Sequence, residues 1–214
     1  MSVVFGHLTA YGHGFWVTVQ LTVLSFLLAL VVGTLVATMR ISPAAPARAA
    51  GLAYVESIRN TPLLVLMFLF FFGLTKIGLR YSIFVTGVIV IGLYHGAFVG
   101  EALRSGINSV AKGQAEAARS IGLTFGQNLR YVILPQAFRT VVPPLGNIFI
   151  AQTKNTSLIA VIAGVDLLGA ADRLNTTYAQ AIPIFIGAAV GYLVLTIPAG
   201  LVFGLIERRV AINR

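Results

Sequence analysis

Five apolar stretches, each near the length needed to cross the hydrocarbon core of a bilayer, limit what this 214-residue chain can fold into. A helix crossing that core needs about 20 predominantly apolar residues, and such runs lie near residues 16–38, 61–79, 82–103, 140–162 and 182–206. The second has the least distinct limits, and the fourth is interrupted by Pro143-Pro144 and the polar run 152–157. Hydrophobic residues make up 57% of the chain and charged residues 10%, and mean hydropathy is +0.91, far from the balance of a soluble domain. Lipid offers no partner to a backbone N–H or C=O, so such segments must be helices. The expected fold class is therefore an all-α integral membrane protein with five transmembrane helices.

The basic residues predict its orientation. Arg40, Arg48 and Arg59 follow the first span, Arg104, Lys112, Arg119, Arg130 and Arg139 the third, and Arg208, Arg209 and Arg214 the fifth. Only Lys76, Arg80 and Arg173 fall on the other side. Basic loops stay in the cytoplasm, so the N-terminus is expected outside and the C-terminus inside. The organisation expected is an extracytoplasmic segment 1–15, a transmembrane domain 16–207 with a cytoplasmic loop at about 108–135, and a cytoplasmic tail 208–214. Residues 1–15 contain no Lys or Arg, so the first apolar run lacks the basic flank of a cleaved signal peptide and is expected to stay as a span. The net charge of +9 is dispersed over the loops and not interleaved with stacking aromatics, which points to anionic lipid headgroups and away from nucleic acid.

Catalytic chemistry is missing. The chain has no Cys, its three His are scattered without carboxylates at metal-ligand spacing, and none of its three Lys follows a Gly as a phosphate-binding loop requires. No cofactor or metal is expected on this chain, and any ATP that drives it must sit on another subunit. Five spans also do not divide into two inverted halves, so a pathway between two such subunits is more natural than one within a single chain.

Small residues recur within the spans. Gly92, Gly96 and Gly100 in the third, and the pairs Gly187/Gly191 and Gly200/Gly204 in the fifth, let helix backbones approach closely, and packing inside one subunit is the expected use. Tyr94 and His95 lie among the first set; they either line a pathway or reflect a neutral His bonded to a nearby carbonyl. Gln152, Thr153, Lys154, Asn155, Thr156 and Ser157 follow the Pro-broken fourth run. Lys154 facing lipid would cost at least about 2.5 kcal/mol at the bilayer centre, so it is expected to face protein or a wet cavity as a carboxylate site, unless it snorkels to the interface. Glu101 is expected to pair structurally with Arg104.

The loop at 113–135 is a polar, helix-breaking island. At helical spacing Ala111, Ala115, Ala118 and Gly122 share one face, predicting a smooth stripe against which another protein can dock, with Lys112, Glu116 and Arg119 on the polar side. An Ala-rich surface helix is the plainer alternative. Gly122 can adopt the positive φ that ends one helix and starts a turn, and Pro135 fixes the start of the next element.

Glu116, Ala117, Ala118 and Gly122, followed by Ile133, Leu134 and Pro135, resemble the cytoplasmic Glu-Ala-Ala loop of ABC importer permeases. The resemblance widens to Arg59-Asn60-Thr61-Pro62-Leu63, to Gly96-Ala97-Phe98 through Glu101 and Arg104-Ser105-Gly106, and to Pro144-Leu145-Gly146-Asn147 with Lys154-Asn155-Thr156-Ser157-Leu158, all similar to polar amino acid permeases. It runs from about residue 16 to 207 and is nearest the glutamate-type subunits, departing at Tyr94-His95 where many such permeases have Asn-Ser. It implies the type I ABC importer permease fold in a bacterial inner membrane. The implied partners are a second permease subunit, similar or identical, two cytoplasmic ATPases carrying ATP and Mg and seated on the loops at Glu116, Ala117, Ala118 and Gly122, and an extracytoplasmic amino-acid-binding protein. On that reading Tyr94, His95, Gln152, Lys154, Asn155, Thr156 and Ser157 contribute to the substrate pathway. The rival is an ion-coupled carrier or channel, which would have no use for the loop.

Overall fold

The computed structural model describes residues 2–210, and every regular element among them is helical. Arg214 and the rest of 211–214, expected to be cytoplasmic tail, lie outside the described residues. A short α1 (Ser2–Gly6) leads into α2 (Leu8–Ile41), and α3 (Ala45–Arg59) follows. Pro62 opens α4 (Leu63–Phe68), which passes through a π-helical turn (Leu69–Gly73) into α5 (Leu74–Lys76). The Ser82 hydroxyl accepts from the Val85 N–H at 3.2 Å and starts α6 (Ile83–Asn108). Then come α7 (Lys112–Ser120), α8 (Phe125–Asn128), a second π-helical turn (Leu129–Ile133), α9 (Leu134–Asn155), a 3-10 segment (Thr156–Ile162), α10 (Leu167–Tyr178) and α11 (Ala181–Val210).

Three helices, α2, α6 and α11, are each long and apolar enough to cross a membrane, matching the first, third and fifth expected spans. The second expected span, 61–79, corresponds to α4–α5 with its π-helical turn; this unit meets α3 at 101°, and it is long and apolar enough for a span only together with α3. The residue before a proline avoids helical geometry, so Thr61-Pro62 is where the chain turns. The fourth expected span differs too. α9 runs unbroken through Pro143 and Pro144, and the change of winding comes later, at Thr156, where the 3-10 segment begins and ends on a left-handed Ala163 with φ 63°. Each proline removes one N–H from the ladder, yet the neighbouring turns hold the helix.

Contacts fix the directions of the long helices. Gly92, Gly96 and Gly100 of α6 receive Leu28, Val32 and Val36 of α2 in the same order, so the two helices run parallel. The approach is close: a Cβ on Gly96 would stand 2.8 Å from Val32 Cγ1, and one on Gly100 3.0 Å from Val36 Cγ1. This is the packing within one chain that the glycine spacing predicts. Val141 of α9 lies against Gly106 near the end of α6, and Phe203 of α11 covers Gly146, so α9 runs back and α11 returns beside it. On α11 Gly187 and Gly191 meet Tyr11 and Leu167 and a Cβ on Gly200 would stand 3.5 Å from Ile150 Cδ1, whereas Gly204 has nothing within 4 Å, so three of the four pack inside the chain. The ends of α2, α6 and α11, the start of α9 and the loop from α7 to α8 consequently share one end of the bundle, where most of the arginines gather.

Two apolar clusters hold the rest. Leu21, Leu63, Met67, Val90, Ile91, Ile159 and Ile162 join α2, α4, α6 and the 3-10 segment. At the end opposite the arginines, Tyr11, Leu167, Ala171, Leu174, Ile184 and Ala188 join α2, α10 and α11. Asp166 caps α10 by accepting from the Leu168 and Gly169 N–H groups at 3.3 and 3.0 Å, and the Tyr192 hydroxyl donates to it at 2.6 Å. Thr18 Oγ1 accepts from the Leu167 N–H at 3.1 Å, so the cap is locked to α2 and α11.

Candidate functional site

The loop between α6 and α9 is a built unit. α7 ends at Ser120, and Gly122 takes φ 87°, a conformation that an L side chain resists. The Gly122 N–H donates to the Arg119 carbonyl at 2.9 Å and the Leu123 N–H to the Ala118 carbonyl at 3.1 Å, the paired bonds that close a helix through a left-handed residue. Thr124 then starts α8 with reciprocal bonds: its Oγ1 accepts from the Gln127 N–H at 3.4 Å and Gln127 Oε1 accepts from the Thr124 N–H at 2.9 Å. Asn128, buried, donates from Nδ2 to the Ala115 carbonyl at 3.0 Å and folds α8 back onto α7. Pro135 sits in the first turn of α9, as its restricted backbone suits.

That return corrects one expectation. Ala118 is 5% exposed and Ala115 half-buried, so the middle of the small-residue stripe faces α8 and is not offered to a partner. The methyl stripe is the apolar face that short α7 has to bury, and α8 covers it. Outward stand Glu116, Ala117 and two large apolar side chains, Ile121 at 79% and Phe125 at 81% exposure, with Tyr131 beyond them. Sequence reasoning passed over Ile121 and Phe125; two bulky apolar residues flanking a polar turn were the available signal.

The second group of expected residues divides. His95 is buried, and its Nε2 accepts from Asn155 Nδ2 at 3.1 Å, linking α6 to the end of α9. The bond goes to a side-chain amide and not to a carbonyl. Tyr94 is half-buried, with its ring centroid 5.3 Å from that of His95 and 5.2 Å from that of Phe98. Gln152 and Thr156 are instead sealed in the chain's own interior: Gln152 Nε2 donates to Ser25 Oγ at 2.7 Å and to the Thr22 carbonyl at 3.2 Å, and Thr156 Oγ1 donates to the Thr153 carbonyl at 2.8 Å. Gln152 therefore ties α9 to α2, Thr156 bonds back within its own turn, and neither reaches an open surface. Ser157 Oγ donates to the Lys154 carbonyl at 2.7 Å. Lys154 is exposed on the surface of the chain, not turned into its interior, and makes no ion pair among the described residues. Glu101 accepts from Arg104 Nε at 2.8 Å, the structural pair expected, and Arg40 stands 3.6 Å from it as well.

Comparison with known proteins places these features in a wider set. Residues 29–212 match the family model described as binding-protein-dependent transport system inner membrane component. A probable glutamine ABC transporter permease protein of Bacillus subtilis is 43% identical over 98% of this chain and 97% of its own length. A glutamate transport system permease protein of Corynebacterium glutamicum is 43% identical over 94% of this chain and 93% of its own. Among solved structures, one described as an amino acid ABC transporter with histidines superposes with a TM-score of 0.91 at 35% identity, covering 96% of both chains.

Proposed function

The chain belongs to the binding-protein-dependent transport system inner membrane components, and from that premise we propose that it is the permease subunit of an ATP-driven importer for glutamate or a related polar amino acid. The observation that carries the reading is the α7–α8 unit: a turn closed by Gly122 and Thr124 that lifts Ile121 and Phe125 off the basic end of the bundle. Apolar side chains that large, standing at four-fifths exposure on a hydrogen-bonded scaffold, suit a partner's groove better than water or lipid headgroups. We assign that partner to a cytoplasmic ATPase carrying ATP and Mg, one copy on each of two permease subunits, with Glu116, Ala117 and Gly122 at the contact and Ala118 beneath it.

The reading gives the chain five crossings, two of them irregular (α4–α5 with its π-helical turn, and α9 with the 3-10 segment), an external N-terminus and a cytoplasmic C-terminus. A second permease subunit, similar or identical, completes the pathway, and an extracytoplasmic binding protein delivers the amino acid. Tyr94, His95, Asn155 and Ser157 lie where α6 meets the end of α9, and exposed Lys154 is the cation we assign to the substrate carboxylate. The names of the relatives, one for glutamine and one for glutamate, favour that substrate class.

Affinity purification of the tagged chain from its own membrane tests the partnership. A nucleotide-binding subunit is expected to co-purify, and Ile121→Ser with Phe125→Ser is expected to lower its recovery severalfold while the chain stays in the membrane. Wild-type protein recovered without any ATPase would contradict the reading.

A further inference from the structure

Where α2, α3 and α6 meet at the basic end, the chain carries more positive charge than it neutralises. Both ion pairs among the described residues are made to one carboxylate, Glu101. Arg104 binds it through Nε at 2.8 Å and through Nη2. Arg40 Nη1 lies 3.6 Å from it, too far for a hydrogen bond, and that nitrogen is buried with no hydrogen-bond partner. The Arg40 stem is held along α3, where a Cβ on Gly51 would stand 3.2 Å from both Arg40 Cγ and Cδ. Arg59, the last residue of α3, is exposed and lays its guanidinium over the Phe98 ring, 5.2 Å from the centroid and one turn before Glu101. The nearby acid on α3, Glu56, accepts from Asn60 Nδ2 at 3.0 Å and pairs with neither arginine.

Three guanidiniums, Arg104 and Arg40 sharing the one carboxylate of Glu101 and Arg59 over Phe98, leave positive charge in excess here. A guanidinium N–H taken out of water without an acceptor is costly, and its planar fork matches the oxygens of a carboxylate or phosphate. We propose that Arg40 and Arg59 form an anion site that takes one carboxylate or phosphate oxyanion, while Arg104 stays committed to Glu101. Two sources offer that chemistry: the phosphodiester of an anionic lipid at the membrane surface, and the carboxylate of a small solute. The site rests on geometry alone and stands or falls independently of the importer reading.

The full chain in phosphatidylcholine nanodiscs provides the test, its thermal unfolding midpoint followed as phosphatidylglycerol is added to the bilayer or as glutamate replaces chloride at constant ionic strength. A saturable rise in the midpoint is expected with at least one of them. A rise with phosphatidylglycerol alone identifies a lipid site, a rise with glutamate alone a solute site, and a rise with both a site shared by the two. Arg59→Gln, at an exposed position that does not threaten folding, is expected to shift half-saturation by about tenfold or more, as is Arg40→Gln. Arg173→Gln, an equal charge loss at the opposite end, is expected to leave the curve in place. No saturable rise, a curve unchanged by Arg59→Gln, or an equal shift from Arg173→Gln would each overturn the proposal.

Discussion

At Gly122 a single backbone dihedral joins two helices. With φ at 87°, a β-branched side chain there strains the turn by about 1–2 kcal/mol and opposes the two bonds that close α7. Gly122→Val is therefore expected to leave membrane insertion intact and to lower uptake and ATPase recovery together; wild-type uptake by this variant would show that the turn is not needed. Lys154 poses a different question, because it is exposed on one chain and its neighbours in sequence are not. One desolvated charge-assisted hydrogen bond is worth about 1.5–3 kcal/mol, a change of roughly one to two orders of magnitude in apparent affinity. Lys154→Met is expected to weaken uptake on that scale with basal ATPase activity retained, while a wild-type rate over the whole substrate range would make Lys154 an interface anchor. At this scale the sequence was a partial guide. Gly122 and Pro135 could be read because each residue type permits few backbone states. That Gln152 and Thr156 are buried within the chain could not be read, because polarity alone does not say whether a side chain's partner is a substrate or, as for Gln152, Ser25 on another helix.

The elements follow the same division. α2, α6 and α11 are legible as uninterrupted apolar runs, and the spacing of Gly92, Gly96 and Gly100 foretold the face on which α6 packs. The break between α3 and α4 is written in Thr61-Pro62, where the second expected span begins, whereas α3 itself and α10 were missed although Asp166 marks the start of the latter. Such short elements carry no long periodic signal, so their place is set by tertiary bonds such as Tyr192 to Asp166. The element ends also carry a topological prediction. Residues 76–80, from the last residue of α5 into the turn before α6, and position 112, at the start of α7, lie at opposite ends of α6, so the proposed orientation puts the first outside and the second inside. The chain has no native Cys. A cysteine at 80 is expected to react with an impermeant reagent on intact cells and one at 112 only after permeabilisation; labelling of 112 in intact cells would reverse the orientation.

For the whole molecule, the exposed apolar surface of α11 is the feature that its own packing leaves uncovered. Ile186, Val190, Leu193, Val194, Ile197 and Leu201 face outward along α11, as a helix against lipid or a second subunit requires. Nothing along the chain offers a phosphate-binding loop, so any energy from ATP has to enter through a surface, a role the proposed function assigns to the α7–α8 unit. The most direct measurement is uptake of radiolabelled glutamate or glutamine into proteoliposomes containing this chain with its co-purified subunits and the binding protein, with ATP present on the ATPase side and all ion gradients collapsed. The proposed function predicts uptake that requires ATP and the binding protein and falls severalfold with Ile121→Ser and Phe125→Ser; uptake that proceeds without ATP and follows an imposed ion gradient would contradict it.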